Sequence, residues 1–263
     1  MASRTARFRK NSVKFTVSSL TVNQLKGIMV YNLFSIVRKN NPQFSVNCSL
    51  CGLGSDHSGF CEPCLSAVQR QGHYCQQCGN SLGKQPIGAV CGQCLKKPPR
   101  YQTLIAATHY EFPVSHAISE MKFEKQLHHI RSFSNLLLDE LIAYYQETPL
   151  PQAIVPIPLH SNRLRERGFN QSQLIAKHLN RKLGIPLLDH ALLRIKDTPH
   201  QIGLKAVERR KNLKRAFTIK QQLPKHIALV DDVVTTGSTI QEASKQCLRH
   251  GVERIDVWCL AKT

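Results

Sequence analysis

Residues 229–239 read LVDDVVTTGST, an apolar run that stops at two adjacent carboxylates and passes into small hydroxyl residues around Gly237. Residues 227–230 form a short continuous apolar run, which predicts a strand buried on both faces of a parallel sheet. Residues 241–250 have the length of a helix, and Gly251 marks its end, glycine being favoured just past a helix terminus. The order is therefore strand, acids, hydroxyl loop, helix. Such a loop offers an anion several backbone N–H groups and the positive end of the helix dipole. It describes a phosphate cradle, but not the nucleotide-hydrolase loop, because G-x-x-x-x-G-K-[ST] and its lysine are absent. The two carboxylates would repel a phosphate, so they call for hydroxyls or a metal ion beside it, and a ribose 5-phosphate meets both demands. The competing reading is an ordinary turn between strand and helix with a capping box, Thr239-x-x-Glu242.

These residues resemble the 5-phosphoribosyl 1-diphosphate (PRPP) signature of type I phosphoribosyltransferases: four apolar residues, two acids, then a T-T/S-G-x-T loop. The resemblance implies that Asp231 and Asp232 hold the ribose 2- and 3-hydroxyls, directly or around Mg²⁺. It implies that Thr235, Thr236, Gly237, Ser238 and Thr239 hold the 5-phosphate. The rest of this half of the chain is consistent with that fold. Strand-like segments at 104–109, 153–157, 216–219, 227–230 and 255–260 alternate with helix-like segments. Leu137, Leu138, Leu141 and Ile142 share one helix face; Ile175, Leu179 and Leu183 share another that stops at Gly184. The alternation predicts an α/β domain with a mainly parallel sheet flanked by helices, its ligand at the carboxyl ends of the strands.

Two basic segments fall where a diphosphate would need them. After 153–157 comes PLHSNRLRERGFNQS, with Arg163, Arg165, Arg167 and Gly168 at the opening of the next helix. Arginine forks grip phosphate oxygens in pairs, and glycine lets backbone approach closely. The alternative is a solvated basic turn. Residues 198–217 form a polar, basic loop long enough to act as a lid, and in it Gln201 and Arg209 are further candidates for PRPP contact.

Eight of the ten cysteines lie between positions 48 and 94, in four C-x-x-C pairs. Each pair presents two thiolates to one ion, as tetrahedral zinc requires. An internal repeat, CSLCG then CEPCL against CQQCG then CGQCL, predicts sequential sharing. Cys48, Cys51, Cys61 and Cys64 would bind one structural Zn²⁺, and Cys75, Cys78, Cys91 and Cys94 a second. A disulfide framework is the rival, but it needs an oxidising compartment, and residues 1–43 carry no apolar segment of the secretory kind. A cytoplasmic location is the expectation. Cys247 and Cys259 read as small buried hydrophobes.

The cysteine pairs, R-x-R-G-F-N-Q, and the T-x-x-Q…R-x-x-N run ending at Arg209 and Asn212 together resemble the ComF/GntX family. These are phosphoribosyltransferase-like proteins with an amino-terminal zinc ribbon, associated with competence and DNA utilisation. The resemblance covers residues 48–262 and implies a phosphoribosyltransferase-like protein that binds PRPP with Mg²⁺ and serves DNA utilisation or nucleotide salvage. Its motifs leave the acceptor unspecified. The alternative is a non-catalytic, PRPP-responsive adaptor in which single-stranded DNA or DNA-import proteins are the partners. A formal net charge of +19 favours anionic partners without choosing among them. No apolar run approaches a membrane span. The expected organisation is a double zinc ribbon at 44–96, a proline-containing linker, and a phosphoribosyltransferase-like domain at 101–263. Residues 1–43 hold eight basic residues and no acid. They read as a disordered arm, a transit peptide, or an over-long reading frame whose start is Met29.

Overall fold

A computed structural model describes residues 46–55, 59–70, 72–83, 88–197, 213 and 215–263. The basic extension at 1–43 lies outside them. Four strands form one all-parallel sheet in the order β5–β10–β9–β6, where β5 is Thr103–His109, β6 Ala153–Pro156, β9 His226–Val234 and β10 Arg254–Lys262. Helices cover both faces, so the strands are apolar on both sides, as in parallel sheets generally. The fold is α/β, with two small cysteine-rich hairpins in front of it.

Alternation along β9 sorts its side chains. Ala228 and Val230 join a core with Ile105, Ala107, Trp258 and Leu260 beneath helix α4 (His128–Tyr144) and helix α6 (Gln171–Leu183). Ile227 and Leu229 face a second core with Val155, Val257 and Cys259 beneath helix α7 (Ser238–Arg249). Cys247 and Cys259 are fully buried in that second core. Ile130, Phe133, Leu137 and Leu141 of α4 recur at helical spacing and are buried. Trp258 is also fully buried; its Nε1 donates to Tyr145 Oη at 3.1 Å, and Tyr145 donates to Asp256 at 2.7 Å.

The strand expected at 227–230 runs four residues further, to Val234, because β10 continues beside it from Arg254 to Lys262. The acids therefore sit within β9 rather than after it. Helix α3 (Val114–Ser119) and a π-helical turn over Glu120–Glu124 carry no strong periodicity and were not expected. Arg163, Arg165 and Arg167, expected to open the helix that carries Ile175, instead form a separate short helix α5 (Ser161–Arg167), which Gly168 closes before α6 begins at Gln171. The short strand β7 (Leu192–Arg194) precedes the basic 198–217 segment and pairs antiparallel with β8 (Phe217–Ile219).

The cysteine-rich region contains strands β1 (Val46–Asn47) and β2 (Gly54–Ser55), helix α1 (Glu62–Val68), strands β3 (His73–Tyr74) and β4 (Ser81–Gly83), and helix α2 (Gly92–Lys96). It does not stand clear of the sheet. Phe60 and Val68 are buried in the same core as α4, and the Phe60 ring meets Phe133 edge-on at 5.1 Å. Gly59 lies so close to α4 that a Cβ there would stand 2.2 Å from Ser132 Oγ, and its φ of +94° also disfavours any side chain. Beside the second hairpin, Gln76 O accepts from Leu104 N and from Thr103 Oγ1, which ties it to β5. No helix among the described residues is long and apolar enough to cross a membrane.

Candidate functional site

The carboxyl end of β9 brings the predicted acids and the hydroxyl loop together. Asp231 Oδ1 accepts from Ser172 Oγ at 2.9 Å and from Asp232 N at 3.0 Å, and Asp232 Oδ1 accepts from Val233 N at 2.8 Å. Burial, followed by the charge of Asp232, pushes the Asp231 carboxyl up to about 7. Beyond Val234 the chain turns through Thr235 and Thr236 to Gly237, whose φ of +71° makes it the residue preceding α7. Thr236 and Ser238 hydroxyls meet at 2.9 Å, and no side chain caps α7. The capping box is not formed: Glu242 accepts from Arg215 N and Gln246 Nε2 instead. The first N–H groups of α7, with Ser238 and Thr239, consequently line a small hollow that reaches Asp231.

Because β6 pairs with β9 at Pro156 and Val230, the arginine-rich segment emerges at the same end of the sheet. It forms α5, closed by Gly168 at φ +84°. The three arginines differ in their surroundings. Burial lowers the Arg167 pKa, the nearby Asp232 charge opposes that, and the guanidinium lies 5.7 Å over the Phe123 ring. Arg163 is half-buried and close enough to lower the pKa values of Arg167 and Arg194. Arg165 is exposed and donates to Asn162 Oδ1 at 2.5 Å. Asn170 caps α6 by accepting from Ser172 N and donates to Ile157 O, which fixes the serine that holds Asp231. Gln201 and Arg209 lie outside the described residues, as does most of the basic 198–217 loop.

Two cations of the site were not singled out from sequence. Lys122, on the π-helical turn, reaches Asp232 Oδ2 with its Nζ at 2.8 Å. Arg194, on β7, is buried enough to lower its pKa, an effect that the Asp231 charge counteracts. A bridge between His160 and Arg194 brings β7 to the start of α5. Lys122 and Arg194 belong to short elements with no recognisable period, so nothing in the local sequence marked them. Gathered here are an acid pair of which Asp232 is buried, an uncapped helix start and several cations, a set that can hold an anionic, hydroxyl-bearing ligand.

A larger cleft of about 1180 Å³ opens on the other side of the hydroxyl loop, lined by Lys96, Lys97, Arg100, Lys245, Thr235 and Ser238 among others. Cys78 and Cys94 form part of its wall. The eight cysteines group as their repeat predicts: Cys48, Cys51, Cys61 and Cys64 in one cluster, Cys75, Cys78, Cys91 and Cys94 in another. Within each cluster the sulfur atoms lie within 4.8 Å of one another. None is in a disulfide. Burial raises the Cys48 thiol, but backbone N–H groups of Cys51, Cys61 and Leu50 outweigh it and bring it down to about 6. Cys91 N likewise donates to Cys75 Sγ at 3.3 Å. Donors aimed at sulfur favour thiolate at Cys48 and Cys75, while burial pushes Cys64 and Cys94 up, and four-cysteine sets without an open position fit two structural zinc sites.

No family model matches the chain. Individual relatives do. The DNA utilization protein YhgH of Salmonella typhi is 38% identical over 221 residues, covering 82% of this chain and 96% of the relative. Competence protein F of Haemophilus influenzae is 38% identical over 227 residues, 83% of this chain and 98% of the relative. The chain belongs to the ComF/GntX family. A more distant member, competence protein ComFC of Bacillus subtilis, is 28% identical over 200 residues and 73% of this chain. Family membership and the two four-cysteine clusters agree with a double zinc ribbon in front of an α/β sheet.

Proposed function

We propose that this chain binds PRPP at the carboxyl end of β9 and acts in DNA utilisation as a phosphoribosyltransferase-like protein. The observation that carries the reading is the adjacency, on one strand and its following turn, of the acid pair and the uncapped start of α7. Asp231 and Asp232 would take the ribose hydroxyls, the turn from Thr235 to Thr239 the 5-phosphate, and Arg163, Arg167 and Arg194 the diphosphate. Arg165, Gly168, Gln201 and Arg209 would support the diphosphate side. Hard carboxylate oxygens suit Mg²⁺ arriving with the diphosphate, and Asp231 and Asp232 are the residues that would hold it. Bound there, the ion would neutralise charge on the leaving diphosphate.

In the reaction, a nitrogen nucleophile attacks C1 of the ribose, the C1–O bond breaks and diphosphate leaves with its electron pair. The arginines stabilise that growing charge, and the acid pair holds the ring and favours its cationic character. DNA utilisation follows the names of the relatives, the DNA utilization protein and competence protein F. The test is calorimetric titration with PRPP and Mg²⁺, combined with a diphosphate-release assay over a panel of nitrogenous bases and nucleotides. The Asp231→Asn/Asp232→Asn variant should lose PRPP binding with its zinc content unchanged; undiminished affinity refutes the site. Binding without release under any acceptor refutes turnover.

A second reading, a PRPP-responsive adaptor that binds single-stranded DNA, is favoured by the cleft between the second cysteine cluster and the hydroxyl loop. Lys96, Lys97, Arg100 and Lys245 line it against Glu242. Its affinity for single-stranded DNA should fall steeply with salt. A flat dependence excludes contact with the phosphate backbone.

A further inference from the structure

Lys122 is placed unlike the other cations of the site. It is carried not by the arginine segment but by the π-helical turn Glu120–Glu124, which follows α3 and ends at Lys125 in the left-handed conformation, φ +59°. Irregular turns of this kind recur where one side chain must be aimed at a site. The turn is fastened at its first residue. Glu120 Oε2 lies 3.1 Å from His129 Nε2, and His129 Nδ1 lies 2.7 Å from Ser49 Oγ, inside the first C-x-x-C pair. A continuous polar chain thus runs from the first cysteine cluster to the turn that presents Lys122. At its far end Nζ stands 2.8 Å from Asp232 Oδ2, with both side chains mostly shielded from water.

We propose that Lys122 is a resident counter-cation: it neutralises Asp232 while the site holds no ligand, and it bars a divalent cation from the acid pair until an anionic ligand draws the ammonium away. The adjacent carboxyl groups of Asp231 and Asp232 would otherwise attract any divalent ion present. A positive charge already at contact distance from one of them removes much of that attraction, because an ammonium repels a second cation a few ångströms away far more strongly in a shielded site than in water. The 2.8 Å contact holds the ammonium against Asp232, with 22% of the lysine side chain and 11% of the carboxylate side chain exposed. The diphosphate of the proposed ligand competes for that ammonium. As the ammonium shifts towards phosphate oxygens, Asp232 is released for the ribose or the ion, which makes entry of metal conditional on entry of the anion. Only the identity of that anion rests on the proposed PRPP reading; the exclusion of free metal rests on the ion pair.

The experiment is a Mn²⁺ titration of the zinc-loaded full-length chain, followed by water-proton relaxation and without any PRPP. Lys122→Met should bind Mn²⁺ about tenfold more tightly than the parent. Lys122→Gln serves as a second uncharged variant should the methionine form fail to fold, and Lys122→Arg, which keeps the charge, should stay near the parent value. Asp232→Asn in the Lys122→Met background should abolish the gain. Parent-like Mn²⁺ affinity in a folded, zinc-replete Lys122→Met or Lys122→Gln chain overturns the proposal. A purely structural role would also lower stability in all three variants without tightening metal binding, and that result overturns it too. A parallel PRPP titration of the parent chain separates failure of this idea from failure of the ligand assignment.

Discussion

Replacing Asp231 by Asn should stabilise the chain at neutral and alkaline pH while disabling the site. In the folded chain the Asp231 carboxyl is held near 7, against 3.8 for an unhindered group, because burial and the neighbouring Asp232 charge both disfavour its ionisation. The folded state therefore holds this proton more tightly than the unfolded state does. As pH rises from about 4 to about 7 the unfolded chain releases it first, and stability is lost across that window. At 1.36 kcal/mol per tenfold change in proton affinity the full penalty is about 4 kcal/mol. About 2 to 3 kcal/mol of it accrues between pH 5 and pH 8. Asparagine keeps the shape and cannot ionise. Thermal melts of the zinc-loaded parent and Asp231→Asn should thus diverge with pH, the variant melting roughly 5 to 10 °C higher at pH 8 than the parent after the pH 5 difference is subtracted. Histidines that titrate in the same range are common to both chains and cancel in the comparison. A gap that stays constant from pH 5 to pH 8, or a variant that becomes relatively less stable as pH rises, refutes the account of Asp231.

Phe60→Ala removes a fully buried ring packed on Phe133 and should cost about 3 to 5 kcal/mol, read by urea unfolding as a loss shared by the whole sheet rather than by the cysteine-rich hairpins alone. Gly59→Ala combines a 2.2 Å approach to Ser132 Oγ with φ +94°; adding Ser132→Gly should restore only the steric part, leaving roughly 1 to 2 kcal/mol of backbone strain in a melting comparison. A strong chelator should release two zinc ions per chain, counted with a chromogenic indicator, and should lower the melting temperature of the entire chain because the first cluster shares its core with α4.

The fold class was legible because apolar runs and helix stops repeat along residues 104–260 with little interruption, and the cysteine repeat specified which thiols group. The acids and the hydroxyl loop were legible as a local pattern whose chemistry depends on residues a few positions apart. Lys122, Ser172 and Arg194 were not. Each reaches the acids from an element separated by tens of residues, and nothing local distinguishes a lysine that points at a carboxylate from one that points at water. The capping box shows the converse. Thr239 and Glu242 carry the right spacing, yet β9 extends and Gly237 takes the left-handed position, so α7 begins two residues earlier than a Thr239 cap would start it and Glu242 finds partners elsewhere.

The chain has a single tryptophan, and Trp258 lies on an interior strand, fully buried, with its indole N–H engaged by Tyr145. Its emission is therefore a built-in spectroscopic probe of the sheet's centre. Spectral shifts on unfolding will report the opening of the central core, whereas metal exchange confined to the second cysteine cluster should leave the colour of that light unchanged.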